Sequence, residues 1–103
     1  MPMECVLDQQ RMCLRLTGEI DHHRALQLMM ELERQIDLES PRELELDMSG
    51  VTFMDSSGIA LVLKAHRMLA LTGGKLQLTG VGAQPFRVLH CAGLDRLFRI
   101  RPL

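Results

Sequence analysis

The feature that most constrains this chain is a repeated switch of hydrophobic period. Stretches with apolar residues at every second position alternate with stretches where they recur every three or four. One piece of backbone cannot satisfy both patterns, so the switches mark strands and helices. Met3 to Leu7 and Arg11 to Thr17 alternate, the second with Met12, Leu14 and Leu16 on one face. The polar Asp8-Gln9-Gln10 between them predicts a hairpin, although no Asn-Gly pair marks its turn. Gly18 is expected to break the second strand. Asp21 is placed to cap a helix running to about Asp37. Ala25, Met29, Leu32 and Ile36 form its apolar stripe, while Arg24, Gln27, Glu31 and Arg34 are expected to face water. Ser40-Pro41 ends this unit, because the residue before proline resists helix.

The same alternation returns downstream. Leu44, Leu46 and Met48 alternate with Glu43, Glu45 and Asp47, and the acidic positions predict a third strand covered on one face only near its start. Val51 and Phe53 carry the apolar signal towards Met54. Asp55-Ser56-Ser57-Gly58 then supplies a polar turn, followed by apolar Ile59 to Leu63 and a helix to about Leu71 that Gly73-Gly74 stops. Lys75 to Thr79 is a fourth strand with Leu76 and Leu78 inward, and Gly80 to Gly82 a loop. Pro85 suits the first turn of a short third helix with Gly93 as its C-cap, and Leu97, Phe98 and Ile100 predict a short last strand. The order β-β-α-β-α-β-α-β predicts one α/β domain over residues 1–103, a mixed sheet of four to five strands with helices packed against it.

Composition narrows the function. Twelve Lys and Arg against thirteen Asp and Glu leave a formal charge of -1, with no basic stripe for a phosphate backbone, so direct nucleic-acid binding is not expected. No run of about eighteen apolar residues is present, so no membrane insertion is expected. Glu4 and Asp8 stand where a secretory signal carries basic and then apolar residues. Cys5, Cys13 and Cys91 are odd in number and lack CxxC spacing, which argues against a disulfide framework or zinc site; they read as small core residues of a reduced, cytoplasmic protein. With no Trp or Tyr, three Phe and eight Met, Leu and Met must fill most of the core.

Catalytic patterns are missing. His22 and His23 are adjacent on a helix and therefore point about a hundred degrees apart, not onto one metal ion. His66 and His90 are isolated and read as surface or satisfied helix residues. Ser57 has no GxSxG elbow around it, and the Gly73-Gly74 and Gly80-Val81-Gly82 segments form neither a phosphate loop nor a GxGxxG fingerprint. No catalytic residue and no cofactor are expected. The segment Phe53-Met54-Asp55-Ser56-Ser57-Gly58-Ile59 has two readings. Asp55 or Ser56 caps the helix by accepting from its first amides. Alternatively, a serine hydroxyl is displayed at the positive end of a helix, where unpaired amides and the dipole would favour a phosphate. A binding or switch module without chemistry of its own fits these residues.

Three runs, Gly18-Glu19-Ile20-Asp21-His22-His23, Phe53-Met54-Asp55-Ser56-Ser57-Gly58-Ile59 and Ala92-Gly93-Leu94-Asp95-Arg96-Leu97-Phe98, resemble the anti-sigma-factor antagonists of the STAS family, and most of all its sporulation members. The resemblance covers almost the whole chain. Ala60 and Lys64-Ala65-His66 stand where that pattern carries a Gly and a Gly-Arg-Tyr, and the sequence stops at Leu103, before the further helix with which such chains often end.

The resemblance implies partner switching in bacterial transcription control. In its unphosphorylated form such a protein binds an anti-sigma factor that is also a serine protein kinase, and so frees the sigma factor. The kinase then phosphorylates the second serine of the turn, which maps onto Ser57, and a PP2C-type phosphatase restores binding. On this mapping Glu19, Asp21 and His22 lie beside the turn and, with Asp55, Ser56, Gly58 and Ile59, make the partner-binding patch. The alternative within the same fold is an accessory subunit of an ABC lipid transporter, which does not depend on a phosphoserine turn.

Overall fold

The computed structural model describes residues 3–103. Five strands and three helices follow in the order β1 (Met3–Asp8), β2 (Arg11–Ile20), α1 (His22–Glu39), β3 (Glu43–Met54), α2 (Ser57–Leu71), β4 (Lys75–Val81), α3 (Ala83–Cys91) and β5 (Arg99–Pro102), with a 3-10 turn over Leu94–Arg96 before the last strand. The strands form one sheet in the order β1-β2-β3-β4-β5. β1 runs antiparallel to β2, and every later neighbour is parallel. The mixed α/β architecture expected from the hydrophobic periods is the architecture found.

The apolar face of the sheet is built in register. Leu14, Leu46 and Leu78 sit side by side across β2, β3 and β4, each 0% exposed. Met12, Leu44 and Leu76 form the next row. Helices α1 and α2 pack on one another and on these strands, burying Ala25, Leu28, Leu32 and Ile36 from one and Leu61, Val62, Ala65 and Leu69 from the other. The α1 stripe therefore uses Leu28 where the sequence favoured Met29, which is half-buried at its border. Positions 25, 28, 32 and 36 follow the helical period as closely as 25, 29, 32 and 36, so spacing alone does not choose between them.

Four other expectations need correction. The cysteines are not core residues. Cys5 and Cys91 are exposed, and Cys13 is half-buried because strand alternation turns it away from Met12 and Leu14 towards Glu45 on the polar side of the sheet. Gly18 does not end β2. Its φ of 82° and two register shifts against β3 form an irregularity through which the strand continues to Ile20. Gly80, at φ 63°, likewise lies inside β4, which reaches Val81. Arg24 does not face water freely. Its guanidinium folds back to donate to the Thr17 carbonyl at 2.6 Å and is half-buried.

The hairpin turns on Gln9 and Gln10, with φ of 49° and 78°. A two-residue turn with both centres left-handed matches the twist of the strands, and here two glutamines adopt it without the usual Asn-Gly. The Gln10 carbonyl then accepts from the Arg42 and Glu43 amides at 2.9 and 3.2 Å, which fixes where β3 begins. Further along β3, the Ser49 amide and hydroxyl donate to Asp47 Oδ1 at 3.0 and 2.7 Å. The backbone amide is the main reason the Asp47 carboxyl sits below its ordinary range.

Candidate functional site

Parallel pairing brings two loops together at one end of the sheet. Glu19 and Ile20, the last residues of β2, lie opposite Phe53 and Met54, the last residues of β3. The Asp55 amide donates to the Ile20 carbonyl at 3.1 Å, tying the exit of one strand to the exit of the next. The loop that carries Asp21 and His22 thus leaves the sheet next to the one that carries Asp55, Ser56 and Ser57, since both follow paired strand ends and open helices. Ligand and partner sites of parallel sheets collect at this carboxyl end.

The turn is built by Asp55. Its side chain accepts from the Ser57 amide at 2.8 Å and its carbonyl from the Gly58 amide at 3.1 Å, while the Ser56 carbonyl accepts from the Ile59 amide at 3.1 Å. Ser56, at the N-cap position, makes no side-chain cap bond. Of the two capping candidates in the sequence, Asp55 is the one used. These bonds also correct the expectation of unpaired amides. The amides of residues 57, 58 and 59 are all occupied, so an anion on Ser57 meets the positive helix end without a ready cradle of free N–H groups.

Exposure separates the residues expected to form the patch. Glu19, Asp21, His22 and Ser56 are exposed, whereas Asp55, Ser57 and Ile59 are half-buried. Ser57 is therefore held at the surface by the first turn of α2 and is not sealed inside. Asp21 has a second task, since its carboxylate accepts from the Arg24 amide at 2.9 Å and caps α1. Gly58 is buried, and a Cβ there would overlap the Met54 side chain, itself 0% exposed. Its place in the patch is that of a spacer: only a residue without a side chain lets α2 start this close to β3. The loops 19–23 and 55–59 contain no lysine or arginine, and the adjacent Arg24 turns its guanidinium back onto the Thr17 carbonyl beside Gly18.

Two residues of this region escape sequence reasoning. Phe53, which carries the apolar run towards Met54, is 42% exposed beside Glu19. Gln84, at the start of α3, reads both polar groups of Met54: its side-chain oxygen accepts from the Met54 amide at 2.9 Å and its amide donates to the Met54 carbonyl at 2.7 Å. No local signal in the sequence marks a glutamine thirty positions downstream as the clamp on the residue before the turn. Gln84→Ala leaves these two part-buried groups unmatched and is expected to cost about 1–3 kcal/mol. In thermal unfolding that is a fall in Tm of about 5–20 °C, and an unchanged Tm would remove the clamp from the account.

The histidines are spent elsewhere or face solvent. His22 and His23 are both exposed, the His66 ring lies 5.4 Å from the Phe98 ring, and His90 Nδ1 is 2.7 Å from Asp95 Oδ2. Hydrogen bonding to His90 is the main cause of the lowered Asp95 carboxyl pKa. The surface depressions lined by charged residues, such as the one between Glu43, Lys75, Gln77, Arg99 and Arg101, lie at the amino ends of the strands, away from Ser57.

Comparison with known proteins decides the family. Residues 3–102 match the STAS domain. An anti-sigma F factor antagonist of Paenibacillus polymyxa is 30% identical over 90 residues, spanning 87% of this chain and 74% of its own length. The chain belongs to the STAS family of anti-sigma-factor antagonists. The solved structure of the anti-sigma factor antagonist SpoIIAA in its unphosphorylated form matches this STAS domain with a TM-score of 0.82 at 25% identity, over 95% of this chain and 86% of that one. The Bacillus cell fate determinant SpoIIAA in its phosphorylated form matches with a TM-score of 0.74, again at 25% identity, over 95% and 89% of the two chains. Among the described residues of this STAS domain, no helix is long and apolar enough to cross a membrane.

Proposed function

We propose that the unmodified protein binds an anti-sigma factor that is also an ATP-dependent serine kinase, releases the sigma factor, and is switched off when that kinase phosphorylates Ser57. The observation that carries this reading is the position of Ser57: half-buried at the first residue of α2, in a turn flanked by the acidic β2–α1 loop. A relative with a solved phosphorylated form supports a phosphate as the signal. The protein acts as substrate and ligand, with no catalytic residue and no cofactor of its own, in the cytoplasm, and a PP2C-type phosphatase resets it.

Docking uses Glu19, Asp21, His22, Asp55, Ser56 and Ile59, with Phe53 as an apolar contact and Gly58 holding the turn in place. Acidic side chains at the rim steer a basic partner surface, and the half-buried apolar positions supply the centre. The decisive experiment is incubation with the candidate anti-sigma kinase and ATP, followed by intact mass and peptide mapping. One added phosphate, mapped to Ser57, is the expected result. No transfer, or transfer to Ser56 or another residue, would defeat the assignment.

A further inference from the structure

The end of the sheet opposite Ser57 has a different electrostatic character. β4 begins with Lys75, and β5, the edge strand, pairs with it so that Arg99 lies beside Gln77. Arg99 and Arg101 are two positions apart on one strand, so they share a face with roots about 7 Å apart. Together with Lys75, Gln77 and Glu43 they line an open depression of ≈ 320 Å³. None of the ion pairs among the described residues involves Lys75, Arg99 or Arg101. Glu43, the carboxylate on the rim, is engaged by Arg11 at 3.0 Å. Three cations therefore line one hollow, with Glu43 on its rim paired to Arg11 at the surface and Glu45, opposite Gln77, accepting from the Thr79 hydroxyl at 2.7 Å.

We propose that this depression is a binding site for a small multivalent oxyanion, held by Lys75, Arg99 and Arg101 with the Gln77 amide as a neutral donor. Guanidinium groups bind carboxylate and phosphate oxygens through paired N–H donors, and an ammonium adds a point charge. Two guanidiniums rooted about 7 Å apart match a ligand that carries two or more anionic groups, not a single one. The volume suits a molecule of that size and excludes a folded partner from the hollow itself. Phosphate and carboxylate ligands share this chemistry, and the experiment separates them.

Tripolyphosphate and citrate are titrated separately into the full-length protein and followed by amide chemical shifts. The expected result is saturable binding of at least one of them, with shifts centred on residues 75–77 and 99–101. The double variant Arg99→Gln/Arg101→Gln is expected to weaken it about 10- to 100-fold. Arg67→Gln on α2 and Ser57→Glu at the far end are expected to leave it unchanged. Thermal unfolding of each variant checks that the fold persists. Tighter binding of one anion names the ligand class. Shifts scattered over the surface, an equal loss in the Arg67 variant, or no saturation by either anion would overturn the site. Each of these results is independent of whether Ser57 is the phosphoacceptor.

Discussion

Leu46→Ala is expected to remove a large part of this domain's stability, about 2–5 kcal/mol. Leu46 is 0% exposed in the first half of β3, the central strand of the sheet, flanked in register by Leu14 and Leu78 and packed under the helices. Truncation loses the transfer free energy of the removed atoms and leaves a cavity that two helices and a sheet cannot all close at once. A domain of this size is stable by only about 5–15 kcal/mol in total, so the variant is expected to unfold roughly 10–30 °C lower. Thr52→Ala, at an exposed position on the same strand, is the contrast and is expected to stay within about 0.5 kcal/mol. Denaturant unfolding of both variants gives the comparison, and equal midpoints would mean that the Leu14-Leu46-Leu78 row is not the centre of the core.

Ser57→Glu is expected to weaken binding to the anti-sigma partner about 10²- to 10⁴-fold while leaving the fold intact. The magnitude follows from the cost of a charge pressed into an interface without a counter-ion, about 3–5 kcal/mol. Phosphoserine itself carries about -1.5 to -2 charges at neutral pH. Two features of the turn steer that charge outward. The amides of residues 57–59 are already paired, so they do not draw it back onto the helix. Asp55 and Glu19 stand nearby, and no lysine or arginine lies in either loop to compensate them. The helix end still tolerates a negative group, at about 0.3–1 kcal/mol in its favour, so thermal stability is not expected to fall. Ser57→Gln keeps the added size without the charge and is expected to bind within about tenfold of the unmodified protein. If the Gln and Glu variants bound equally poorly, bulk and not charge would be the switch.

Much of this was legible from hydrophobic periods. Alternation set the strands, the three-four spacing set α1 and α2, and Asp21 announced the start of α1, because each depends on neighbours a few positions away. What was illegible depends on long-range pairing. The exposure of Cys13 and Phe53 is fixed by which face of the sheet the helices cover, a fact about the assembled layers. Gly18 and Gly80 read as strand breaks locally, yet cross-strand bonds carry β2 and β4 through them. The Gln84 clamp joins segments thirty residues apart and leaves no periodic trace. At the site itself the residue types were readable, and so was the adjacency of the two loops once parallel pairing was assumed. Asp21 was readable as the cap of α1 and Asp55 as one of two capping candidates, whereas Gly58 as a buried spacer was not, because it depends on the Met54 side chain packed against it.

The central claim is that one phosphate on Ser57 decides partner binding. Calorimetric titration of the anti-sigma factor with the unmodified protein, and then with the protein bearing a single phosphate mapped to Ser57, tests it directly. Tight binding is expected of the first, and a Kd at least about 100-fold weaker of the second. Equal affinities for the two forms would contradict it.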